Sequence, residues 1–395
     1  MNPKIREDFP VLKKGIIYFD SACVSLKPRQ VVEASNEYYE EYPACAGRSN
    51  HKLGNKVTEK VEESRNTISK FFNAKKPSEI IFTRNTTEGI NLIANSFDLN
   101  GTVVTTDKEH NSNLLPWIRL KELGKIKHKV VDSLQDNTFN MEKFEQILGE
   151  GNVKLVAIHH TSNLDGISVP LKEITKLAHE YNAKVLVDAA QSAGHHELDV
   201  KKLDIDFLAC SGHKMLGPSG IGCLYGKEEE LKKLNPFMLG GETVKESWID
   251  RYELEEIPHR FEAGLQNYSG IIGFAAAVKY VDKIGRNNIH NHEVKLNSKL
   301  THVITGLPVQ IIGNRNAEMR GGITSFYSKM DSHAISLILN QSNIMVRSGA
   351  FCVHSWFNKH KIKGAVRFSS YVYNTEEEVK VIDDFLNSRL LKMLK

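Results

Sequence analysis

Between about residues 80 and 225 the chain alternates short apolar runs with stretches in which apolar residues recur at helical spacing. The runs at 79–83, 102–106, 129–131, 155–159, 184–187, 207–210 and 222–225 are apolar almost throughout rather than alternating, which predicts strands buried on both faces. Amphipathic segments such as 174–181 lie between them and predict crossover helices. This pattern predicts an α/β fold whose large domain is a mainly parallel seven-stranded sheet wrapped by helices. From about residue 285 the character changes to helix, a strand at 309–312, another at 322–327, then a helix over 333–340. A last helix begins near Thr375, whose hydroxyl precedes Glu378 by three residues as in a capping box. The expected division is a large domain over 16–284 and a smaller α/β domain built from 1–15 and 285–395.

With 395 residues, 41% hydrophobic and 25% charged, and no long uninterrupted apolar stretch, the composition is that of a globular protein without a membrane span. The segment from Met1 to Asp8 lacks the apolar core of a signal peptide, so a cytoplasmic location is expected. The net charge of +4 comes from 52 basic and 48 acidic residues, too even a balance to predict binding to nucleic acid or to an anionic membrane. Cys23, Cys45, Cys210, Cys223 and Cys352 show neither zinc-ligand spacing nor a disulfide framework, and no metal site is expected.

Candidate chemistry begins at Ser211-Gly212-His213-Lys214, directly after an apolar run, with Asp188 closing another run upstream. A lysine amine attacks a carbonyl only when neutral, and burial beside other cations favours that form. A buried carboxylate facing a pyridine nitrogen keeps that nitrogen protonated, so the ring can absorb electrons. Asp188 and Lys214 together therefore predict the two ends of a pyridoxal 5'-phosphate site at the carboxyl edge of the sheet. Thr86 and Thr87, in the turn Asn85-Thr86-Thr87-Glu88-Gly89-Ile90-Asn91, stand where a helix amino terminus attracts a phosphate; helix capping is the other reading of those hydroxyls. His110 follows another strand, where it would stack on a ring or shuttle a proton. Asn163 and Gln191 are amides placed to reach a phenolic oxygen.

Together with Tyr18-Phe19-Asp20-Ser21-Ala22, Glu109-His110, Ser162-Asn163, Gly217-Pro218, Phe261-Glu262-Ala263-Gly264 and Arg347-Ser348-Gly349-Ala350-Phe351-Cys352, these stretches resemble in order and spacing the class V, fold-type I pyridoxal phosphate enzymes. Within that class the chain is most similar to the Suf-type (group II) cysteine desulfurases and selenocysteine lyases. The resemblance implies that Lys214 forms the Schiff base, Asp188 meets the ring nitrogen, and His110 stacks on the ring. It further implies that Gln191 and Asn163 contact the phenolic oxygen, while Thr86, Thr87, Ser211 and His213 hold the phosphate. Arg367 would take the substrate carboxylate, with Arg347 and Asn163 beside it. Cys352 would be the nucleophile that accepts sulfur from L-cysteine as a persulfide, on a loop of the smaller domain. The remaining cysteines read as structural, and His354 as a neighbour able to assist the thiol.

The resemblance also implies a homodimer, with Arg48 near the partner's site, and transfer of sulfur to an acceptor or scaffold protein of iron–sulfur assembly. Two departures stand out. Ala350 and Phe351 occupy the place of two histidines, which changes the polarity and mobility expected of the Cys352 loop. Leu265 replaces a threonine that reaches the partner's phosphate, a donor worth roughly 1.5 to 3 kcal/mol. The rival readings are selenocysteine lyase, an aminotransferase or kynureninase-like reaction in which Cys352 is incidental, and a sulfur-relay scaffold without catalysis; the presence of both Lys214 and Asp188 argues against the last.

Overall fold

The computed structural model describes residues 3–394. In chain order its strands are β1 (Ile17–Tyr18), β2 (Ile80–Thr83), β3 (Thr102–Thr106), β4 (Lys127–Val131), β5 (Val153–His159), β6 (Lys184–Asp188), β7 (Phe207–Ser211), β8 (Gly222–Gly226), β9 (Val244–Ser247), β10 (Tyr252–Leu254), β11 (Gln310–Ile312), β12 (Ile323–Tyr327), β13 (Ile344–Met345), β14 (Arg347–Gly349) and β15 (Ala365–Ser369). Seven of them form one sheet in the order β2-β8-β7-β6-β5-β3-β4. The neighbours from β7 to β4 run parallel, and β8 lies antiparallel between β2 and β7. These are the seven apolar runs of the sequence.

In all but the edge strand β4, which is largely exposed, their continuous apolar character follows from burial on both faces. Val156, Ile158, Val185, Val187 and Leu208 point into one core, beneath Ile271, Phe274 and Ala277 of the helix Tyr268–Ile284. Leu155, Ala157, Leu186 and Ala209 alternate with them into a second core, against Ile90 and Ile93 of the helix Thr86–Ser96. The crossover expected over 174–181 is the helix Leu171–Glu180, which buries Ile174 and Ala178.

Four of the five strands of the C-terminal part form an antiparallel sheet in the order β11-β12-β15-β14. Phe326, Val366 and Phe368 of that sheet pack on Leu296 and Leu300 of the helix Arg286–Thr305 and on Val379 and Ile382 of the helix Glu376–Phe385. The last helix starts as expected: Glu378 N donates to Thr375 Oγ1 at 3.3 Å, and Thr375 N to Glu378 Oε2 at 3.1 Å. The amino-terminal segment touches both parts. Phe9 and Leu12 are buried in the core under the helix Tyr268–Ile284, whereas Arg6 bonds to Tyr373 O and Glu378, and β1 pairs with β13. The ends of the unit expected from 1–15 and 285–395, residues 1, 2 and 395, lie outside the described residues. Among the described residues no helix is long and apolar enough to cross a membrane, and no group of three or more His, Cys, Asp or Glu is arranged to hold a metal ion.

Register decides where chemistry gathers. His159 pairs with Asp188 across β5 and β6, and Ser211 and Thr83 both pair with Gly222 of β8. The carboxyl ends of β2, β5, β6 and β7 therefore share one edge of the sheet, the edge where open α/β sheets bind ligands.

Candidate active site

A cavity of about 520 Å³ opens at that edge, and every site residue expected from the sequence lines it: Thr86, Thr87, His110, Asn163, Asp188, Gln191, Ser211, His213, Lys214, Arg347, Cys352 and Arg367. Lys214 sits on the short turn Gly212–Lys214 that follows β7. Lys214 is half-buried, and burial pushes its pKa down; Asp188 pulls the other way, while Arg367 adds to the depression. Asp188 ends β6 beside it. Burial pushes its carboxyl up against the opposing pull of Lys214 and of the Ala190 N–H, which donates to Oδ1 at 2.9 Å.

His110 is held to about 3, chiefly by burial and then by the Lys214 and Arg367 cations, so the ring is neutral. Ser112 N donates to its Nδ1 at 3.1 Å, which leaves the ring proton on Nε2. Ahead of the helix Thr86–Ser96, Asn85 is the cap: Glu88 N donates to its Oδ1 at 3.0 Å. Thr86 and Thr87 are thus released from capping. The Thr86 hydroxyl meets Ser211 Oγ at 2.7 Å and the Thr87 hydroxyl meets Ser112 Oγ at 2.7 Å, so hydroxyls and a helix amino terminus converge on one corner. His213 borders that corner and is held to about 4, mainly by burial. Gly222 lets β8 pass beneath the turn, since a Cβ there would stand 2.3 Å from Cys210 O and 3.1 Å from Asn85 Cα.

The opposite corner is cationic. Arg367 in β15 and Arg347 in β14 are direct cross-strand partners, a like-charge arrangement that is costly without an anion between. Arg367 is 2% exposed. Its NH1 donates to Asn163 O at 2.9 Å, Asp20 approaches NH2 only to 3.5 Å, and Nε has no partner. One loosely placed carboxylate facing two guanidiniums leaves room for a second, and the cavity wall is where it would enter.

Cys352 is exposed on the loop after β14. Phe351 and Cys352 both hold left-handed backbone, with φ of 51° and 60°. The loop is nonetheless tied down: Asn163 Nδ2 donates to Phe351 O at 2.8 Å, Asn111 N to Cys352 O at 2.7 Å, and Val353 N to Ala350 O at 2.8 Å. The Phe351 ring is buried among Leu164, Val353, Trp356 and Phe357, and the Arg367 guanidinium lies 4.8 Å from its centroid. His354, the neighbour expected to assist, pairs its Nδ1 with Asn111 Nδ2 at 3.1 Å.

Several placements differ from the sequence reading. The amides of Asn163 and Gln191 each already donate to a carbonyl, Phe351 O and Ala22 O respectively, leaving one N–H each for a ligand. Cys23, read as structural, lines the cavity half-buried. His159 lines it too, with Nδ1 2.9 Å from Glu109 Oε1; its place at the end of the strand beside Asp188 was the signal that could have found it. Arg48 and Leu265 lie off this cavity, Arg48 paired with Glu242 at 2.9 Å and Leu265 73% exposed.

This donor set fits pyridoxal phosphate: an amine whose pKa burial pushes down for its aldehyde, a buried carboxylate for its ring nitrogen, and hydroxyls at a helix amino terminus for its phosphate. The comparisons agree with the geometry. A relative from Synechocystis sp. bearing the name "Probable cysteine desulfurase" is 40% identical over 97% of this chain and 94% of its own, and one of the same name from Pyrococcus abyssi is 40% identical over 99% and 98%. The apo structure of a cysteine desulfurase from Thermococcus onnurineus superposes with a TM-score of 0.95 at 40% identity, covering 100% of this chain and 99% of that one. Since the Aminotransferase class-V family also matches from residue 17 to residue 382, spanning both sheets and the whole cavity, the chain belongs to that family.

Proposed function

We propose that the chain is a pyridoxal phosphate-dependent cysteine desulfurase, releasing L-alanine from L-cysteine and keeping the sulfur as a persulfide on Cys352. The observation that carries this reading is that a cysteine on an outer loop opens into the same cavity as Lys214, Asp188 and Arg367. When bound, the cofactor supplies an electron sink for a substrate carbon that loses its proton.

Lys214 would hold the cofactor, and its Nζ, whose pKa burial pushes down, would take the proton from the substrate Cα. Asp188 would meet the ring nitrogen and hold its proton, and His110 would cover the ring with Nε2–H available to donate. Thr86, Thr87, Ser211 and His213 anchor the phosphate, with Asn163 and Gln191 at the phenolic oxygen. Arg367, seconded by Arg347, binds the substrate carboxylate, which orients Sγ toward the loop. The Cys352 thiolate would attack Sγ, forming the S–S bond as the Cβ–Sγ bond breaks; the pair from that bond goes to Cβ, which takes a proton to become a methyl group, and the proton held by Lys214 returns to Cα, so that alanine is released and the sulfur stays on Cys352.

A large domain over 16–284 would then hold the cofactor while the remainder presents the cysteine loop. The exposed apolar side chains Phe237, Met238, Leu239, Trp248 and Ile249, on and beside the β9–β10 hairpin, support a homodimer. A cytoplasmic location and delivery of the sulfur to an acceptor of iron–sulfur assembly belong to the same reading.

The test is a product assay. Wild type should form alanine and protein-bound sulfane sulfur from cysteine, and Cys352→Ser should form neither; full alanine production by Cys352→Ser would refute the mechanism. Repeating the comparison on selenocysteine separates a lyase, which would tolerate loss of the thiol. Lys214→Ala should lose the Schiff-base absorption band and turnover together.

A further inference from the structure

We propose that Ser25 and Lys27 are positioning residues for Lys214: the segment from Phe19 to Lys27 straps the turn that carries the lysine to the strand that carries Arg367. The inference rests on the cofactor reading given above and extends it to two side chains that the reaction does not otherwise use.

Three donors from this strap converge on one carbonyl. His213 O, on the peptide that leads into Lys214, accepts Ser25 N at 2.9 Å, Ser25 Oγ at 3.0 Å and Lys27 Nζ at 3.2 Å. Both lone pairs of that oxygen are thereby engaged. A peptide plane carries the next Cα with it, so a fixed carbonyl fixes the root of the Lys214 side chain. Ser25 also reaches past the lysine. Its Oγ accepts Leu216 N at 2.8 Å, so a side chain only 1% exposed bonds to the backbone on both sides of Lys214. Leu216 is buried with φ of 66°, a left-handed backbone that a leucine keeps only where its surroundings impose it. Ser25 is one of those constraints. Lys27 adds a charged donor, which makes the stronger hydrogen bond. Its ammonium donates to Ser25 O as well as to His213 O, and burial holds its pKa to about 8.

The other end of the strap is tied to β15. Ser369 N donates to Phe19 O at 2.8 Å, Ser21 N to Ser369 O at 3.4 Å and Ala22 N to Ser369 Oγ at 3.0 Å. Ser369 closes the strand that holds Arg367. Between the two ends, Gln191 Nε2 donates to Ala22 O at 2.7 Å. The spacing between the guanidinium that binds the substrate carboxylate and the amine that takes the Cα proton is therefore set by this strap as well as by the sheet. Cα is bonded directly to the carboxylate carbon, so an error in that spacing falls on proton transfer.

The experiment compares wild type, Ser25→Ala, Lys27→Met and Lys27→Arg. Single turnovers of the cofactor-loaded enzymes with cysteine bearing protium or deuterium at Cα identify the phase in which that hydrogen moves; KM is read alongside, and exchange of the Leu216 N–H is followed in the cofactor-free proteins. The isotope-sensitive phase should slow about tenfold in Ser25→Ala and in Lys27→Met, with KM within about twofold of wild type. Lys27→Arg, which keeps a charged donor, should recover most of the rate, and the Leu216 N–H should exchange about tenfold faster in Ser25→Ala. Folded Ser25→Ala and Lys27→Met with a wild-type isotope-sensitive phase overturn the proposal, and so does slowing confined to the isotope-insensitive phases. If near-ultraviolet circular dichroism shows Ser25→Ala unfolded, a wild-type isotope-sensitive phase in Lys27→Met overturns it equally. A wild type without a Schiff-base band would instead overturn the cofactor reading, while Leu216 exchange in the cofactor-free proteins still reports the clasp, so the two failures are distinguishable.

Discussion

Phe351→Ala isolates what closes the Cys352 loop. The ring is 7% exposed, packed on Leu164, Val353, Trp356 and Phe357 and capped by the Arg367 guanidinium. A phenyl side chain buries roughly 150 Å² or more, about 4 kcal/mol at about 25 cal/mol per Å². Measured truncations of buried phenylalanines cost about 3 to 5 kcal/mol. Left-handed backbone at Phe351 and Cys352 works against closure already, at roughly 1 to 3 kcal/mol each. Taking about 3 kcal/mol as the share lost from the closed loop, its open population rises about 100-fold. Two amides report it directly: Val353 N–H, bonded to Ala350 O, and Asn111 N–H, bonded to Cys352 O. Their hydrogen exchange should accelerate about 100-fold, and alanine production should fall more than about tenfold, because the thiolate is no longer held near Sγ. The Schiff-base band, which depends on Lys214, should persist. Exchange at both amides within about threefold of wild type would refute the reasoning and leave the main-chain bonds as the closure.

Arg367→Lys replaces a planar fork by a point charge and should raise KM for cysteine about tenfold or more at near-constant kcat, measured by steady-state alanine release. Leu265→Thr places a hydroxyl on an exposed loop; if the loop serves a neighbouring subunit of the proposed homodimer, cofactor loss on dilution should slow about tenfold, measured by absorbance. Half-buried histidines set the acid limit: His110 is held to about 3, and His128, His160 and His213 to about 4, against 6.5 when unfolded. Because the folded values lie below the unfolded one, this contribution is fully present above pH 6.5 and is lost as pH falls toward 4. The urea midpoint of the cofactor-free protein should therefore drop between pH 7 and pH 5, and His128→Phe, away from the cavity, should lessen that drop.

What could be read from the chain divides along physical lines. Six of the seven apolar runs were legible because a strand buried on both faces needs apolar residues throughout, the exception being the largely exposed edge strand β4, and Thr375 with Glu378 because a capping box is local. β14, β15 and the β9–β10 hairpin were not, since β14 and β15 are short strands whose pairing is antiparallel and long-range, and the hairpin is largely exposed. Among site residues, Lys214 and Asp188 were visible as polar ends of apolar runs. His159 also ends such a run, but nothing in one dimension tells that its neighbour is Asp188. Likewise, Thr86 and Thr87 stayed ambiguous until Asn85 was seen to cap the helix.

The sequence by itself determined the seven strands of the large sheet, their order along the chain and the inventory of amine, carboxylate, guanidinium and thiol, because burial and reaction chemistry each demand particular residue types at local spacing. Only the tertiary structure decided which of these meet. Asn163 holds the carbonyl of Phe351 from 188 residues away. Arg347 faces Arg367 through a strand register, and Glu109 holds His159 across the sheet edge. Such meetings depend on register and packing among distant segments, and those are set by the folded core as a whole rather than by any stretch of the chain.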